Sequence, residues 1–384
     1  MDNLFFTDEH IMIRDMVREF ADTEITPVAR DLDEQGEFPT ALVNKMGELG
    51  LMGILIPEEY GGSGLDMVAF ATAIIELARA DASVAITMAA HTSLGSLPIL
   101  MFGSDEQKNT YLPKLATGEM LGAFGLTEPD AGSDAGATKT KAVRDGDEYV
   151  VNGGKIFITN AGKAGVLSFT SQVIENGKNL GIAAFSISTN TPGLEIGPKE
   201  KKMGWRASDT RQLFFKDMRI QATSILGTPA NGFKTFLKTL TSGRVSIGAL
   251  SIGTALGAYE RALAYSTERI AFGKPINNFQ SVGFKLADMA TKIEASKLLV
   301  FHAAWMKDQG LDITKEAAMA KLFASETAME VTTEAIQIHG GYGYVKEYDV
   351  ERFFRDAKIL EIGEGTSEIQ RLIISREILK GIQI

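Results

Sequence analysis

Three carboxylates and two glycines lie close together near the C-terminus, within the segment Glu361–Glu368. Gly363 and Gly365 flank Glu364, and glycine lets a backbone approach a ligand closely or adopt dihedrals that other residues avoid. A carboxylate on such a turn can remove a proton from a bound substrate as a general base. A solvated acidic turn is the simpler interpretation of these eight residues alone. The rest of the chain decides between the two.

The sequence also predicts the elements that position this turn. Apolar residues precede it, and Ile369, Leu372 and Ile373 follow it at helical spacing. Thr366 is predicted to cap this last helix, because threonine accepts hydrogen bonds from the first amides of a helix.

Length and composition restrict the class of protein. A chain of 384 residues is too long for one ordinary core, so two or three domains are expected. It is 45% hydrophobic and 23% charged, which is typical of a globular protein. The formal net charge of −10 argues against a nucleic-acid partner or an anionic membrane surface. A few local donors can still hold a phosphorylated small ligand.

The residue inventory excludes several kinds of chemistry. The chain contains no cysteine, so disulfides, thiolate catalysis, zinc–thiolate sites and iron–sulfur clusters are ruled out. Its four histidines form no metal-binding pair, and we expect no metal site. No G-x-S-x-G segment is present, which disfavours a serine hydrolase.

Nothing in the sequence predicts a membrane span. The N-terminus has neither a basic segment nor an apolar core of a signal peptide. The most apolar stretch, Ala85–Phe102, is interrupted by His91, Gly95 and Pro98, so no run reaches the roughly 18 residues of a transmembrane helix. We expect no membrane insertion and a cytoplasmic location. A mature mitochondrial-matrix form stays open.

Hydrophobic periodicity divides the chain into three regions. Residues 1–121 show helical patterns, and residues 231–384 return to long helical patterns. Residues 122–230 show short β-branched and aromatic runs separated by the turn dipeptides Asp145-Gly146, Asn152-Gly153, Asn176-Gly177 and Pro192-Gly193. The sequence therefore predicts an α+β multidomain protein with an N-terminal helical domain, a middle antiparallel β-barrel or sandwich, and a C-terminal four-helix bundle. The six predicted strands are 138–143, 149–151, 155–159, 166–173, 181–188 and 211–215.

Four further motifs carry groups suited to ligand binding. The segment Phe124–Asp134 combines glycines and hydroxyls that suit close approach to a planar ring or an anion, and Lys155–Asn160 places an aromatic near a hydroxyl. Arg269–Pro275 precedes Phe279 and Gln280, while Gln337–Gly343 contains the pair Gly340–Gly341.

Together with the turn at Glu364, these motifs resemble the acyl-CoA dehydrogenase family over the whole chain, in order and in spacing. The short- and medium-chain, butyryl-CoA dehydrogenase-like members are the most similar. The resemblance implies FAD as cofactor and Glu364 as the catalytic base, which removes the α-proton of an acyl-CoA thioester while a β-hydride leaves to flavin N5. Some relatives carry the base on a helix of the third domain. Gly243 stands at that position here, so Glu364 has no rival.

The resemblance also assigns cofactor-binding residues. The ring of the flavin is expected to contact residues of the two middle segments, namely Phe124, Leu126, Thr127, Gly132, Ser133, Phe157, Ile158 and Thr159. The diphosphate and adenosine are expected to contact Arg269, Phe272, Phe279, Gln280, Gln337, Gly340, Gly341, Thr366 and Glu368. Many relatives have tryptophan in place of Phe157, and phenylalanine keeps the stacking surface without the indole donor.

The resemblance likewise assigns the substrate contacts, at Ser133, Thr241, Arg244, Gly363 and Gly365. The family often has aspartate where Thr241 stands, so the assignment of Arg244 is the firmer of the two. Close relatives commonly place tyrosine where Gly363 stands. Its absence predicts extra volume beside the reacting carbons, suited to branched, cyclic or aryl acyl groups or to a wider range of chains.

The resemblance implies an electron-transferring flavoprotein as electron acceptor and a homotetramer in which neighbouring subunits share each FAD site. Two alternatives stay open. An enoyl-CoA reductase would run the same chemistry in reverse, and a non-catalytic acyl-CoA or FAD-binding scaffold would bind without reacting. His91 and His339 are interpreted as packing or hydrogen-bonding residues, with a place near the acyl pocket as the alternative for His91.

Overall fold

The structure is a computed structural model, and it describes residues 4–229 and 231–380. The N-terminal region consists of seven α-helices: α1 Asp8–Phe20, α2 Ala29–Gln35, α3 Thr40–Glu48, α4 Met67–Ala80, α5 Ala82–Ala90, α6 Leu97–Phe102 and α7 Asp105–Thr117. Thr7 caps α1, as its hydroxyl accepts from the His10 amide while the His10 ring accepts from the Thr7 amide. Nearly every residue of α4 and α5 is buried, which explains why both are apolar on all faces.

One helical stretch of this region passes a length and composition test for a membrane span. It runs from Ala82 to Phe102 through α5, a short π-helix and α6. Of its most apolar 18-residue segment, 83% is buried inside the protein. Burial of this extent is typical of a core helix in a globular protein.

The middle region is a seven-stranded sheet. Its strands are β1 Leu121–Gly125, β2 Lys141–Asp145, β3 Glu148–Thr159, β4 Ala164–Glu175, β5 Lys178–Ser188, β6 Leu194–Lys199 and β7 Thr210–Gln221. The order is β1-β4-β2-β3-β7-β6, with β5 on the other edge of β4. The first half of β4 pairs with β1 and its second half with β2, so β4 links two parts of the sheet.

Aromatic rings fill the space between these two parts. Phe169 on β4 lies 4.8 Å from Phe215 on β7, and Tyr149 on β3 lies 5.5 Å from Phe185 on β5, measured between ring centroids. None of these strand pairs is hydrogen-bonded, so the contacts cross from one layer to the other. The region is therefore a sandwich, as predicted, and the sheet does not close into a barrel.

The sheet corrects three details of the sequence-based prediction. Strands β1 and β6 were not predicted, and two predicted strands form the single strand β3. Asn152-Gly153 was expected to form a turn but lies inside β3 at a register shift, where Gly153 has φ 141°. The pairs β1–β4 and β2–β4 are parallel, so the sheet is mixed and not wholly antiparallel.

Long helices form the C-terminal region: α8 Gly232–Glu268, α9 Gln280–Asp308, α10 Thr314–His339, α11 Val350–Ala357 and α12 Ser367–Leu379. A short hairpin of β8 Ile270–Ala271 and β9 Lys274–Pro275 joins α8 to α9. The predicted bundle is thus present, and α8 packs against α10 and α4 at its centre. The predicted domain limits stay predictions, and their ends at residues 1, 230 and 384 lie outside the described residues.

Candidate active site

Glu364 lies in the turn that leads into α12. Its backbone is left-handed, with φ 52°, and Gly365 follows with φ 95°. The Thr366 hydroxyl accepts a hydrogen bond of 3.3 Å from the Ile369 amide, so the predicted cap of α12 is confirmed. A left-handed backbone is unfavourable for glutamate, and such conformations persist where surrounding contacts enforce them.

The Glu364 side chain points against helix α8 at Gly243. A Cβ atom built at Gly243 would lie 2.0 Å from Oε2 of Glu364 and 3.1 Å from its Cδ. This Oε2 atom is buried and has no hydrogen-bond partner among the described residues. Gly243 is therefore needed for the space that the carboxyl group occupies.

Burial and nearby positive charges shift the pKa of this carboxyl group in opposite directions. Burial raises the pKa of Glu364 to about 7, against the positive charges of Lys321 and Arg244, which work to lower it. A carboxyl with a pKa near neutrality can both accept and release a proton at physiological pH, as general-base catalysis requires.

Arg244 is 6% exposed, and its Nε has no partner among the described residues. A buried guanidinium with an unused donor is suited to an acceptor group on a ligand. Thr241 lies one turn away, but its hydroxyl donates to the Leu237 carbonyl at 3.1 Å. The geometry favours Arg244 over Thr241 as a substrate contact.

Space is available beside the base at Gly363. A Cβ atom at this position would meet only Ile359 within 4 Å, with its carbonyl oxygen at 3.4 Å and its Cγ1 at 3.9 Å. A Cβ atom thus fits here with ordinary van der Waals contacts, and glycine leaves its place unfilled.

The structure brings together the two middle segments assigned to the flavin ring. The Ile156 amide donates to the Thr127 carbonyl at 2.9 Å, which places Leu126 and Thr127 beside Phe157–Thr159. Phe157 is 62% exposed and left-handed, with φ 61°, at a register shift in β3. The half-buried hydroxyls of Thr127 and Thr159 make no hydrogen bond with other described residues. An exposed aromatic beside two available hydroxyls fits a planar ring with a polar edge, such as a flavin.

A buried ion pair fixes the loop that carries Thr127. Lys155 Nζ donates to Glu128 Oε1 at 2.7 Å, and Lys155 is fully buried. Burial lowers the pKa of Lys155 to about 8. Burial alone would raise the pKa of Glu128, but the Lys155 ammonium, together with hydrogen bonds from Thr138 and the Lys139 amide, brings it down to about 2. The carboxylate also accepts from the Lys139 amide at 2.6 Å. The loop is thereby tied to strand β3 beneath it.

Other residues of the two segments have different surroundings. Phe124 is 9% exposed and stacks on Phe236 with ring centroids 4.0 Å apart, so it packs in the core. Ile158 is also buried, whereas Gly132 and Ser133 are exposed. Contacts of these four residues with a ligand stay predictions.

The residues assigned to the diphosphate and adenosine lie on an exposed surface. Phe272, at the tip of the β8–β9 hairpin, is 95% exposed, and Arg269 stacks over Tyr342 with its Cζ 5.5 Å from the ring centroid. This contact brings the hairpin to the Gly340–Gly341 turn, where added Cβ atoms would meet nothing within 4 Å. The exposed members of this group on the hairpin, at the start of α9 and around the Gly340–Gly341 turn, which we term the hairpin surface, are Arg269, Phe272, Gln280, Gln337, Gly340 and Gly341.

The hairpin surface and the middle segments are not joined within the described chain. No hydrogen bond, ion pair or ring contact between described residues links Arg269–Gln280 to Phe124–Ser133 or to Phe157–Thr159. Phe279 instead packs against Phe272 and Lys274 of its own hairpin. Thr366 and Glu368 lie at the start of α12, beside the base.

His91 is a structural residue. Its Nδ1 accepts from the Gly122 amide at 3.1 Å, so Nε2 carries the proton and donates to the Leu115 carbonyl at 3.0 Å. Burial lowers the pKa of His91 to about 4, which keeps the ring neutral. His339 stacks on Tyr265 and bonds the Ala335 carbonyl, as its packing interpretation predicts.

Sequence reasoning missed Lys321, Gln370 and the pair Glu128–Lys155. Lys321 lies in the buried stripe of α10 with Ala317, Ala324 and Ala328. A single lysine within a stripe of alanines at helical spacing was the available signal, because an unpaired lysine is rarely placed in a core.

Comparison with known proteins identifies the family. The chain matches the acyl-CoA dehydrogenase N-terminal domain over residues 7–119, the middle domain over residues 123–218 and the C-terminal domain over residues 230–379. It is 53% identical to a probable acyl-CoA dehydrogenase, YngJ, of Bacillus subtilis (strain 168), over 98% of this chain and 100% of that protein.

Solved structures agree with this match. Butyryl-CoA dehydrogenase from Megasphaera elsdenii has a TM-score of 0.95 and 43% identity, covering 98% of this chain and 99% of that one. A chain in a structural study of the electron-transferring flavoprotein of Acidaminococcus fermentans and flavin-based electron bifurcation has a TM-score of 0.96 and 45% identity, with the same coverage.

Proposed function

This chain belongs to the acyl-CoA dehydrogenase family, and we propose that it converts an acyl-CoA thioester to trans-2-enoyl-CoA with Glu364 as the base. The observation that carries the proposal is the Glu364 carboxyl group, whose Oε2 is buried against Gly243 without a hydrogen-bond partner among the described residues and whose pKa lies near neutrality.

FAD is the cofactor of this enzyme, and when bound it supplies the acceptor for the hydride that leaves the β-carbon. Thr127 and Thr159 would hold its polar edge through their hydroxyls, and Phe157 would cover the ring. The buried Lys155–Glu128 pair keeps the Thr127 loop in place.

Glu364 takes the α-proton onto its free oxygen. The electron pair of the broken C–H bond forms the new double bond as the hydride leaves the β-carbon. The positive charges of Lys321 and Arg244 help to keep the carboxyl group ionised before reaction, although it is buried. The left-handed turn aims the side chain at the space beside Gly243 and Gly363.

Arg244 is proposed to bind the CoA part of the substrate through its unpaired donor. Exposed Ser133 is a second proposed contact, on the loop that also carries Thr127. Thr241 is a weaker candidate because its hydroxyl is already bonded to the backbone.

The open volume at Gly363 supports a proposed preference for branched, cyclic or aryl acyl groups, or for a wider range of chains. Installing Gly363→Tyr should fill that volume and lower kcat/KM for branched or aryl acyl-CoA relative to linear acyl-CoA. An unchanged ratio would rule out a steric role for Gly363.

The hairpin surface supports sharing of each FAD site between two copies of the chain. Between described residues, no hydrogen bond, ion pair or ring contact joins its exposed Arg269 and Phe272 to the flavin-ring segments of the same chain, and a tetramer would bring a neighbour's segments against it. Phe272→Asp should reduce both the oligomer mass measured by light scattering and the FAD retained after gel filtration. Loss of one without the other would contradict shared sites.

An electron-transferring flavoprotein is the proposed electron acceptor, and the similarity to a chain from a study of such a protein supports this assignment. A cytoplasmic location likewise stays a proposal.

The proposed dehydrogenase activity is tested by adding a panel of acyl-CoAs to the yellow, FAD-bound protein under anaerobic conditions and following the bleaching of the flavin. Bleaching by linear, branched or aryl thioesters is expected and would identify the substrate class. If no thioester bleaches the flavin but enoyl-CoA reoxidises the chemically reduced enzyme, the protein is a reductase. If neither reaction occurs with FAD bound, it is a binding scaffold.

A further inference from the structure

Lys321 is a fully buried lysine in helix α10. Its neighbours along the stripe are alanines, and burial of an ammonium group is unfavourable unless specific contacts compensate it. No ion pair within 4.0 Å joins Lys321 to a carboxylate in the described part of the chain. The position of this charge therefore calls for another explanation.

The ammonium group contacts the turn of the proposed base. Lys321 Nζ donates to the Gly365 carbonyl at 2.8 Å. Gln370 Nε2 donates to the same carbonyl at 2.8 Å and to the Glu364 carbonyl at 3.4 Å. Two side chains from different helices thus hold the peptide next to Glu364.

This turn needs external support because Glu364 and Gly365 both have positive φ. Glutamate rarely adopts that conformation, so the turn depends on the contacts around it. A shift of this carbonyl would rotate the peptide between Gly365 and Thr366, change the dihedrals of the turn, and move the carboxyl group out of the space at Gly243.

Lys321 also contributes charge. Four charged groups influence it: Glu364 and Glu361 favour the ammonium, as does Glu326 more weakly, and Arg244 opposes it. Burial still dominates and lowers the pKa of Lys321 to about 8, so the group is charged at neutral pH. Only Lys321 from α10 and Arg244 from α8 counter the effect of burial on Glu364 in the described structure.

We propose that Lys321 is a positioning residue for the proposed base: it clamps the Gly365 carbonyl, fixes the turn that aims Glu364, and keeps the Glu364 carboxyl ionised. The inference rests on the proposed function only for its kinetic consequence, since the clamp and the charge are properties of the protein before substrate binds.

The test measures the protonation of Glu364 directly. Difference infrared spectroscopy of the FAD-bound enzyme follows the carboxyl stretch against pH, and Glu364→Gln identifies the Glu364 band. Lys321→Met removes both the hydrogen bond to the Gly365 carbonyl and the positive charge. The midpoint pH of the Glu364 carboxyl titration should therefore rise by about one unit or more. Lys321→Gln, a second neutral variant that retains a donor, should shift it in the same direction. Lys321→Arg keeps the charge and should stay near the wild-type midpoint.

Gln370→Met is the matched control, because it removes the other donor to the same carbonyl without changing charge. It should slow flavin reduction by acyl-CoA without moving the midpoint. Lys321→Met should slow flavin reduction at pH 7 about fivefold through lost ionisation alone and more through misplacement, with little effect on KM.

The outcomes separate this inference from the proposed function. An unchanged midpoint in both neutral Lys321 variants, with the fold retained by circular dichroism, would overturn the role of Lys321 whether or not the enzyme is active. A shifted midpoint in a protein that no thioester reduces would sustain Lys321 and overturn the dehydrogenase.

Discussion

At the scale of single residues, Gly243 and Glu364 depend on each other. Gly243→Ala would place a methyl group where Oε2 lies, and the carboxyl group must then leave its position. We expect a loss of about 100-fold in kcat, because a displacement of about 1 Å can cost that much. Stopped-flow measurement of flavin reduction gives the rate.

The control is Gly248→Ala in the same helix. Its added methyl would meet Val300 Cγ2 at 2.8 Å, so it introduces a similar clash away from the base. It should lower stability and leave flavin reduction within a few-fold of wild type. Equal rate losses in both variants would show that helix overpacking, and not displacement of Glu364, causes the effect.

Glu364 should also destabilise the protein at neutral and alkaline pH. Its pKa rises from 4.5 to about 7 on folding, so the folded state binds more protons between these values and stability falls as pH rises through this window. Glu364→Gln should thus be more stable than wild type at pH 8, by up to about 3 kcal/mol, with the difference vanishing below pH 4.5. Melting temperatures of both proteins across pH measure this, and a constant difference would contradict it.

Single residues of the site also show what could and could not be predicted from the sequence. The turn at Glu364 could be predicted from its glycines, but those glycines alone fit a solvated acidic turn equally well, and only the resemblance of the whole chain to a known family predicted Glu364 as the base. Lys321 could not be linked to it, because the hydrogen bond to Gly365 joins residues 44 positions apart and depends on how α10 packs against the turn.

At the scale of elements, the flavin-binding loop depends on the buried Lys155–Glu128 pair. Lys155→Met leaves Glu128 buried without its cation, which typically costs about 3–5 kcal/mol. The loop carrying Thr127 should loosen, and FAD should be lost on gel filtration. The remaining flavin absorbance and the melting temperature measure the two effects.

A matched variant lies in the same loop region. Lys139 pairs with Asp130 at 2.7 Å, but both side chains are mostly exposed, so Lys139→Met should cost at most about 1 kcal/mol and retain FAD. If Lys139→Met lost FAD and Lys155→Met retained it, the Lys155–Glu128 pair would not be the contact that holds the Thr127 loop.

Local patterns predicted most elements, and the exceptions have physical causes. Strand β1 reads LGAFG, with two glycines and no β-branched residue, and β6 contains Gly197 and Pro198. Asn152-Gly153 has the composition of a turn, but Gly153 sits at a bulge where a Cβ would meet Thr140 at 2.6 Å. The parallel pairing of β4 with β1 and β2 is set by packing between distant segments, which local propensity does not encode.

At the scale of the whole molecule, Arg352 joins the N- and C-terminal regions. Its Nη1 donates to Asp81 Oδ2 at 2.7 Å, and both side chains are buried. The Trp205 amide of the middle region donates to nearby Asp356 at 2.5 Å, and burial raises the pKa of Asp356 to about 7. Three regions of the chain therefore meet at one buried charged cluster.

Arg352→Met removes the cation of this cluster and leaves Asp81 and Asp356 buried. We expect a loss of about 3–5 kcal/mol, seen as a lower melting temperature and earlier proteolysis between the regions. Arg371→Met breaks the exposed pair with Glu326 and should cost less than about 1 kcal/mol. Equal losses would show that the cluster has no special role.

The central claim is that Glu364 removes the α-proton, and proton exchange tests it without hydride transfer. A thioester such as 3-thiaacyl-CoA, which has no hydride to give at the β-position, is incubated with the FAD-bound enzyme in D₂O, and loss of its α-proton is followed by NMR. We predict rapid exchange that increases with pH through about 7 and is abolished in Glu364→Gln. Exchange that persists at the wild-type rate in Glu364→Gln would contradict the assignment of the base.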